Sequence, residues 1–252
     1  GHRLHAVLPP VAASGTCLSI RALGGRRFDL DALHRAGALD DAQLPLLRSI
    51  VAARLAVVVS GGTGSGKTTL LGALLGAVAP GERLVLAEDT GELQVDHPHV
   101  VRLQGRAANV EDAGSVTLRD LVRQALRMRP DRLVVGEVRG AEVLDLLVAL
   151  NTGHDGGMTT LHANAARDVP ARLEALGSLA GLSATAVHSH LGAGVDVVLH
   201  LNRSAAGVRQ LAEVATVRHE PGRPVRLQRA DGPGAPGWPH LARRLAGTGI
   251  VG

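Results

Sequence analysis

The segment from Ala56 to Leu71, AVVVSGGTGSGKTTLL, constrains the fold of this 252-residue chain more than any other stretch. Its β-branched run, Val57 to Val59, predicts a short buried strand, and a leucine-rich helical pattern follows. Between them, Gly61 to Thr68 match G-x-x-x-x-G-K-[ST] at every fixed position. A strand, a glycine-rich loop and a helix in this order predict a phosphate-binding loop, because backbone N–H groups at the helix start converge on anions.

This loop predicts a nucleotide site with a metal ion. Lys67 is the only lysine in the chain, and its ammonium is expected to reach the β- and γ-phosphates. The hydroxyl of Thr68 is expected to bind Mg²⁺, so the predicted cofactors are ATP and Mg²⁺. The residues expected to hold the nucleotide are Gly62, Thr63, Gly64, Ser65, Gly66, Lys67, Thr68 and Thr69.

Two further buried strands end in acidic residues. Arg83 to Ala87 precede Glu88 and Asp89, and Arg132 to Gly136 precede Glu137. Acids at the carboxyl ends of parallel strands point into the ligand crevice, although a strand-end turn capped by Asp89 is an alternative for the first pair. An acid at Glu137 suits a Walker B role, holding the Mg²⁺ water shell or polarising the attacking water. The predicted metal ligands are Thr68, Glu88 and Glu137.

A histidine and a row of arginines are further candidates. Met158 to Leu161 predict a strand that ends at His162, which is placed to sense a γ-phosphate through a hydrogen bond. A helix from Leu118 to Met128, capped by Thr117, carries arginines at i, i+4 and i+8. This stripe, Arg119, Arg123 and Arg127, is either a solvated face or a row that faces the triphosphate or the next subunit.

The composition argues against several function classes. Cys17 is the lone cysteine, so an internal disulfide and a cysteine-based metal site are excluded, and a reducing compartment is expected. No histidine pairs with acids at zinc-ligand spacing. The net charge is only +4, and the basic residues are dispersed without interleaved aromatics, so no nucleic-acid partner is expected. No apolar run has the length needed to span a bilayer.

The pattern along the chain predicts four regions. Residues 1–23 alternate like strands and are interpreted as the C-terminal part of a truncated N-terminal domain, and residues 24–45 as a linker or adaptor. Residues 46–229 form the predicted nucleotide-binding domain, in which strands and helices alternate. Residues 230–252 are rich in Gly and Pro and are expected to form a loosely ordered tail with at most one short amphipathic helix.

Four ordered segments together resemble a known superfamily, the secretion and pilus-assembly ATPases of type II secretion, type IV pili and type IV secretion. The closest likeness is to the tight-adherence (Tad) pilus branch. The resemblance covers most of the chain, to about Glu213, and implies a RecA-like α/β P-loop fold with a mostly parallel central sheet, preceded by the end of a small α+β domain. The segments are SGGTGSGKTTLL (Ser60 to Leu71), AEDTGELQV (Ala87 to Val95), TLRDLVRQALRMRPDRLVVGEVRG (Thr117 to Gly140) and NTGHDGGMTTLHAN (Asn151 to Asn164).

The resemblance implies a role for individual residues. The range 62–69 would be the Walker A loop, Glu88 the acid of the Asp box, Glu137 the Walker B glutamate and His162 the His-box residue. Arg21 would approach the γ-phosphate, which completes a catalytic set with Lys67. Arg3 would be a second arginine of this kind. The resemblance also implies further arginines, trans-acting or structural: Arg102, Arg106, Arg123 and Arg127.

The activity that the resemblance implies is ATP hydrolysis between the subunits of a homo-oligomer, a hexameric ring in this superfamily. Such a motor is cytoplasmic and peripheral to the inner membrane, where it moves an inner-membrane platform protein of a secretion or pilus system. A nucleotide switch or scaffold that does not hydrolyse ATP is the alternative from the same machinery. A nucleic-acid motor is a third interpretation, against which the dispersed charge argues.

Overall fold

A computed structural model describes residues 2–22, 27–108, 114–220 and 222–246, with the backbone alone at residues 2, 3, 21 and 22. The strands are β1 (His2–Val7), β2 (Cys17–Ala22), β3 (Val57–Gly61), β4 (Leu84–Glu88), β5 (Val100–Gln104), β6 (Arg132–Val138), β7 (Met158–His162), β8 (Val197–Arg203), β9 (Arg209–Arg218) and β10 (Arg226–Arg229). The helices are α1 (Leu30–Arg35), α2 (Gln43–Ala52), α3 (Lys67–Gly76), α4 (Leu118–Leu126), α5 (Glu142–Leu150), α6 (Val169–Leu179), α7 (Ala184–Gly194) and α8 (Trp238–Leu245).

An eight-stranded sheet forms the centre of the molecule, in the order β10-β9-β8-β3-β7-β6-β4-β5. The six strands from β8 to β5 are parallel to their neighbours, whereas β9 and β10 are antiparallel. The predicted α/β fold with a mostly parallel sheet is therefore confirmed. Because parallel strands end at the same edge, the carboxyl ends of β3, β4, β6 and β7 lie together, as a ligand crevice requires.

Helices cover both faces of this sheet. Along β3, Val57 and Val59 pack into one hydrophobic cluster, and Val58 packs into the other. Since side chains alternate between faces, a strand with apolar residues at successive positions is one that is buried on both sides. Residues of α2, α3 and α8 complete the first cluster, and residues of α4, α5, α6 and α7 complete the second.

The helix caps follow from the polar residues that precede each helix. Asp29 caps α1, and Thr117 caps α4 in a capping box with Asp120. Before α2, the Asp40 carboxylate accepts the N–H groups of Ala42 and Gln43 at 3.0 and 2.7 Å. These contacts satisfy donors that have no partner within a helix.

The sequence of the segment from Leu93 to Val95 predicts a short strand, and this prediction is wrong. The segment is not a strand in the structure, although both end residues are buried. The Leu93 N–H donates to Glu88 Oε1 and the Leu93 carbonyl accepts from Arg102 Nη1. Because side chains satisfy this backbone, the segment needs no sheet partner.

The two ends of the chain pack differently. Strands β1 and β2 form a separate antiparallel pair, in which Leu4 lies opposite Ile20 and both side chains are exposed. In contrast, α8 buries Leu241 and Leu245 in the cluster that also contains α2 and α3. Among the described residues, no helix is long and apolar enough to cross a membrane.

Candidate nucleotide-binding site

The loop between β3 and α3 presents unsatisfied backbone donors. Gly66 is the N-cap of α3, has a left-handed φ of +100° and offers no side chain to cap the helix. Of the other predicted loop residues, Gly62, Thr63, Gly64 and Thr69 are exposed, whereas Ser65 is buried. A helix start with free N–H groups and the positive end of the helix dipole is a site for an anion, so the residues fit a phosphate.

Lys67 lies inside this loop and is only 6% exposed. Its Nζ donates to the carbonyls of Gly61 and Gly62 at 3.0 and 2.9 Å. Burial lowers the pKa of Lys67, and the nearby Arg139 lowers it further, while the carboxylate of Glu137 opposes the shift. The loop therefore holds a desolvated cation at the place where a phosphate chain would lie.

His162 links Lys67 to Glu137. His162 Nδ1 lies 3.5 Å from Lys67 Nζ, a long contact, and His162 Nε2 lies 2.7 Å from Glu137 Oε1. Burial and the charge of Lys67 lower the pKa of His162, against the effect of Glu137. A neutral ring protonated at Nε2 accounts for both contacts, because an ammonium only donates and a carboxylate only accepts. The structure thus brings together three of the predicted catalytic residues.

Arg139 is a member of this cluster that the motif analysis missed. Its guanidinium forms an ion pair with Glu137 Oε2, while its backbone N–H donates to Glu142 Oε1 at 2.6 Å. The available signal in the sequence was proximity, since Arg139 follows Glu137 by two residues, just after β6 ends. The Glu137 carboxylate consequently has a histidine at one oxygen and an arginine at the other.

Glu88 is held by the turn that follows β4. Its Oε1 accepts the N–H groups of Glu92 and Leu93 at 3.0 and 2.9 Å, and its Oε2 lies 3.7 Å from Arg102 Nη1. Burial raises the pKa of Glu88, although these backbone hydrogen bonds and Arg102 oppose the shift. Gly136 makes room for it, since a Cβ there would lie 2.9 Å from Glu88 Cγ. Glu88 therefore orders the 89–93 turn as well as facing the site.

The predicted metal ligands line a common cleft of about 190 Å³, together with acidic and hydroxyl groups of the 89–92 turn. Thr68, Glu88 and Glu137 supply a hydroxyl and two carboxylates, which are the hard oxygen donors that Mg²⁺ prefers. The donor set fits Mg²⁺ held through water and substrate phosphates. Within the described ranges, no group of three His, Cys, Asp or Glu side chains forms a protein-only metal site.

The other predicted arginines are only partly placed by the structure. Arg21 pairs with Arg3 in the register of β1 and β2, but the predicted roles of both side chains lie outside the described residues. Arg106 donates to the Gly114 carbonyl at 2.8 Å. In the helical stripe, Arg119 and Arg123 both bind the Asp145 carboxylate of α5, at 2.7 and 2.8 Å, so this pair joins two helices of its own chain. Arg127 is exposed.

Residues distant in sequence also contact the phosphate loop. Arg209 Nε donates to the Gly64 carbonyl at 2.9 Å, and Ser60 Oγ lies 2.9 Å from His200 Nδ1. Sequence analysis missed these residues because no local motif marks them. Only the pairing of β8 and β9 with the loop strand brings them near.

A larger cavity, of about 770 Å³, lies between α6, α7 and the loop before β10. Two of its side chains are in ion pairs, His188 with Glu174 at 2.7 Å and Arg223 with Glu220 at 3.0 Å. It contains no glycine-rich loop or helix start with a lysine. The smaller cleft at the phosphate loop is therefore the candidate site.

Comparison with known families supports the same assignment. The sequence profile of a family described as Type II/IV secretion system protein matches residues 3–231. A putative conjugal transfer protein of Mycobacterium tuberculosis is 63% identical over 221 residues, which are 88% of this chain and 63% of that protein. Conjugal transfer protein TrbB of Rhizobium radiobacter is 39% identical over 217 residues, 85% of this chain and 64% of its own length. The chain thus spans less than two thirds of the length of these relatives.

Solved structures share the fold. The VirB11 ATPase of the Brucella suis type IV secretion system, solved with sulphate, superposes with a TM-score of 0.59 at 28% identity, covering 86% of this chain and 73% of that one. The pilus retraction motor PilT, solved with ADP, gives a TM-score of 0.58 at 21% identity, over 91% of this chain and 62% of that one. At that identity the second likeness concerns the fold alone.

Proposed function

Because the chain belongs to the Type II/IV secretion system protein family, we propose that it hydrolyses Mg-ATP and is the motor of a secretion, conjugal transfer or Tad-like pilus system. One observation carries the proposal: a buried lysine in a glycine-rich loop is joined through His162 to Glu137. This arrangement places a cation for the phosphates and a carboxylate for water within one cluster.

In the proposed reaction, groups of the chain itself position the nucleotide and polarise the attacking water. Lys67 and the α3 amides neutralise the phosphates, and Glu137 accepts a proton from the attacking water. Thr68, Glu88 and Glu137 would hold Mg²⁺, which would supply positive charge for the transferred phosphoryl group. His162 contacts the γ-phosphate from its place beside Lys67. Arg139 forms an ion pair with the Glu137 carboxylate and holds it in place.

We further propose that the active form is a homo-oligomeric ring, hexameric as the resemblance implies. Arg21 of the small N-terminal segment closes on the γ-phosphate, and this closure couples hydrolysis to an inner-membrane platform protein. A residue that contacts the nucleotide only through the γ-phosphate makes the closed form bind ATP more tightly than ADP. Such coupling requires this difference in affinity. The protein then acts as a peripheral protein at the cytoplasmic face of the membrane.

The test is phosphate release from Mg-ATP over a range of protein concentrations, with oligomer size measured in the same samples. Turnover should rise as the oligomer assembles. Lys67→Ala and Glu137→Gln should each reduce it by at least about a hundredfold, since each removes a group that stabilises the transition state. Glu220→Gln, at an exposed ion pair, is the control and should behave like the parent.

Three outcomes contradict parts of this proposal. An assembled ring that binds ATP without turnover would favour the nucleotide switch or scaffold. Turnover that does not depend on protein concentration would contradict an active site formed between subunits. Tight binding of single-stranded DNA with a steep salt dependence would favour a nucleic-acid motor instead.

A further inference from the structure

Arg139 lines the cleft at the phosphate loop, where most of the other polar groups are acidic. These other polar side chains are Thr68, Glu88, Asp89, Thr90, Glu92 and Glu137. Among the described residues that line the cleft, Arg139 carries the only positive charge. Carboxylates repel the oxygens of a phosphate chain, so a cation on the wall of the same cleft has a large effect on whether a phosphate chain can enter it.

The backbone at Arg139 is fixed, whereas its side chain is held by a single group. The N–H groups of Arg139 and Gly140 both donate to Glu142 Oε1, at 2.6 and 2.8 Å, which ties this segment to the start of α5. The guanidinium is 61% exposed, and its one partner among the described residues is the Glu137 carboxylate. Water screens an ion pair that is this exposed, so the guanidinium can exchange its partner with little loss of free energy.

A terminal phosphate is a stronger partner for a guanidinium than a carboxylate is. It carries more negative charge, and its oxygens accept guanidinium N–H groups in pairs. The charge of Arg139 lowers the pKa of both Lys67 and His162, so its electric field reaches the two groups between which a γ-phosphate is expected. A γ-phosphate beside Lys67 would therefore attract this guanidinium as well.

We propose that Arg139 is a further catalytic residue, whose guanidinium moves from Glu137 to the γ-phosphate when ATP enters the cleft. The move adds a cation where the transition state carries negative charge, and it leaves Glu137 Oε2 to the attacking water. The inference rests on the proposed function for its effect on turnover. Contact between Arg139 and the γ-phosphate does not depend on hydrolysis, so it can be measured by binding alone.

A double-mutant cycle separates this contact from a role in holding Glu137. If Arg139 only holds Glu137, its removal should have little effect once Glu137→Gln has removed the charge, whereas a contact with the ligand persists in both backgrounds. The variants are Arg139→Ala, Arg139→Lys, Glu137→Gln and the double variant Arg139→Ala with Glu137→Gln. Arg48→Ala is the matched control, because Arg48 of α2 is a half-exposed arginine paired with Asp31 at 2.6 Å.

The measurements are the affinities for a non-hydrolysable ATP analogue and for ADP, both with Mg²⁺, in samples whose oligomer size and thermal unfolding are also measured. Arg139→Ala should weaken analogue binding about 10- to 100-fold, as expected for a lost hydrogen bond to a charged group, and should change ADP binding less than about threefold. The double variant should lose a similar factor relative to Glu137→Gln. Arg139→Lys keeps the charge without the paired N–H groups and should lose less. Arg48→Ala should bind both ligands like the parent.

A loss of analogue affinity in Arg139→Ala that disappears in the Glu137→Gln background would overturn the inference and leave Arg139 a residue that only holds Glu137. Unchanged analogue affinity in both backgrounds, or an equal loss for ADP, would also overturn it. If the assembled parent shows no turnover, the proposed function fails, but the binding cycle still decides whether Arg139 contacts the γ-phosphate. A parent that binds neither ligand contradicts both proposals.

Discussion

At the scale of single residues, Glu88 performs two tasks that can be separated by substitution. Its Oε1 binds the N–H groups of Glu92 and Leu93, and its carboxylate faces the cleft that contains Thr68. Glu88→Gln keeps an oxygen for both amides but removes the charge. We expect the free energy of unfolding to change by less than about 1 kcal/mol while turnover falls at least about tenfold.

Glu88→Ala is the comparison, because it also removes the acceptor of the Leu93 N–H group, whereas the Glu92 N–H group still has the Thr90 carbonyl at 2.7 Å. It should lower the unfolding free energy by about 1–3 kcal/mol, measured by urea denaturation. Equal turnover in Glu88→Gln and the parent would show that the residue only orders the turn.

At the scale of elements, a buried arginine connects β6, α2 and the turn before β4, at the edge of the sheet opposite the nucleotide site. Arg132, at the start of β6, is 1% exposed and binds both Glu82 oxygens, each at 2.9 Å, as well as the Val51 carbonyl of α2. Arg54 forms a second ion pair with Glu82. Although burial opposes it, the hydrogen bond and charge of Arg132 hold the pKa of Glu82 below its usual value.

Glu82→Gln should therefore lower the unfolding free energy by about 2 kcal/mol at neutral pH, between the values for exposed and fully buried pairs. A depressed pKa stabilises the folded state above the unfolded pKa, and this contribution is lost as the pH falls through the folded pKa. The difference between variant and parent should shrink in the acid range. Denaturation at several pH values checks this, and a difference that does not change with pH contradicts the ion pair.

Glu220→Gln is the matched control, because Glu220 pairs with Arg223 while both side chains are about 70% exposed. Its unfolding free energy should stay within about 0.5 kcal/mol of the parent at every pH. A loss as large as that of Glu82→Gln would mean that burial does not distinguish the two pairs.

The elements that could be predicted from sequence are those with a strong local pattern. The buried strands beside the loop and the Thr117 cap of α4 follow from apolar runs and a capping residue. The segment at Leu93 could not be predicted, since its backbone partners are side chains of Glu88 and Arg102. Hydropathy alone cannot distinguish a buried strand from a buried turn that side chains satisfy.

At the site, the motif residues could be predicted from sequence, whereas the residues that contact the phosphate loop from other strands could not. Lys67 and Glu137 are each marked by a short local motif, and the structure connects them through His162. His200 and Arg209 reach the loop only through strand order and register. That order is a property of the whole sheet, which a single sequence does not display.

At the scale of the whole molecule, the last helix is part of the central core. Leu245 is completely buried in a cluster that includes residues of α2, α3 and β9. Leu245→Ala should lower the unfolding free energy by about 2–5 kcal/mol, because it removes buried methyl groups and leaves a cavity. Arg243→Ala, on the exposed face of the same helix, is the control and should cost less than about 1 kcal/mol. Equal small losses would show that α8 is only loosely attached.

The solitary buried lysine has a consequence for chemical labelling. Reagents that acylate side-chain amines have a single target in this chain, and that target is the ammonium inside the phosphate loop. Because burial lowers the pKa of Lys67, more of it is in the nucleophilic, neutral form than for an exposed lysine. Acylation of the peptide that contains Lys67, which distinguishes it from the α-amino group, therefore reports whether the loop is accessible or protected by a bound phosphate compound. This readout of nucleotide occupancy needs no turnover.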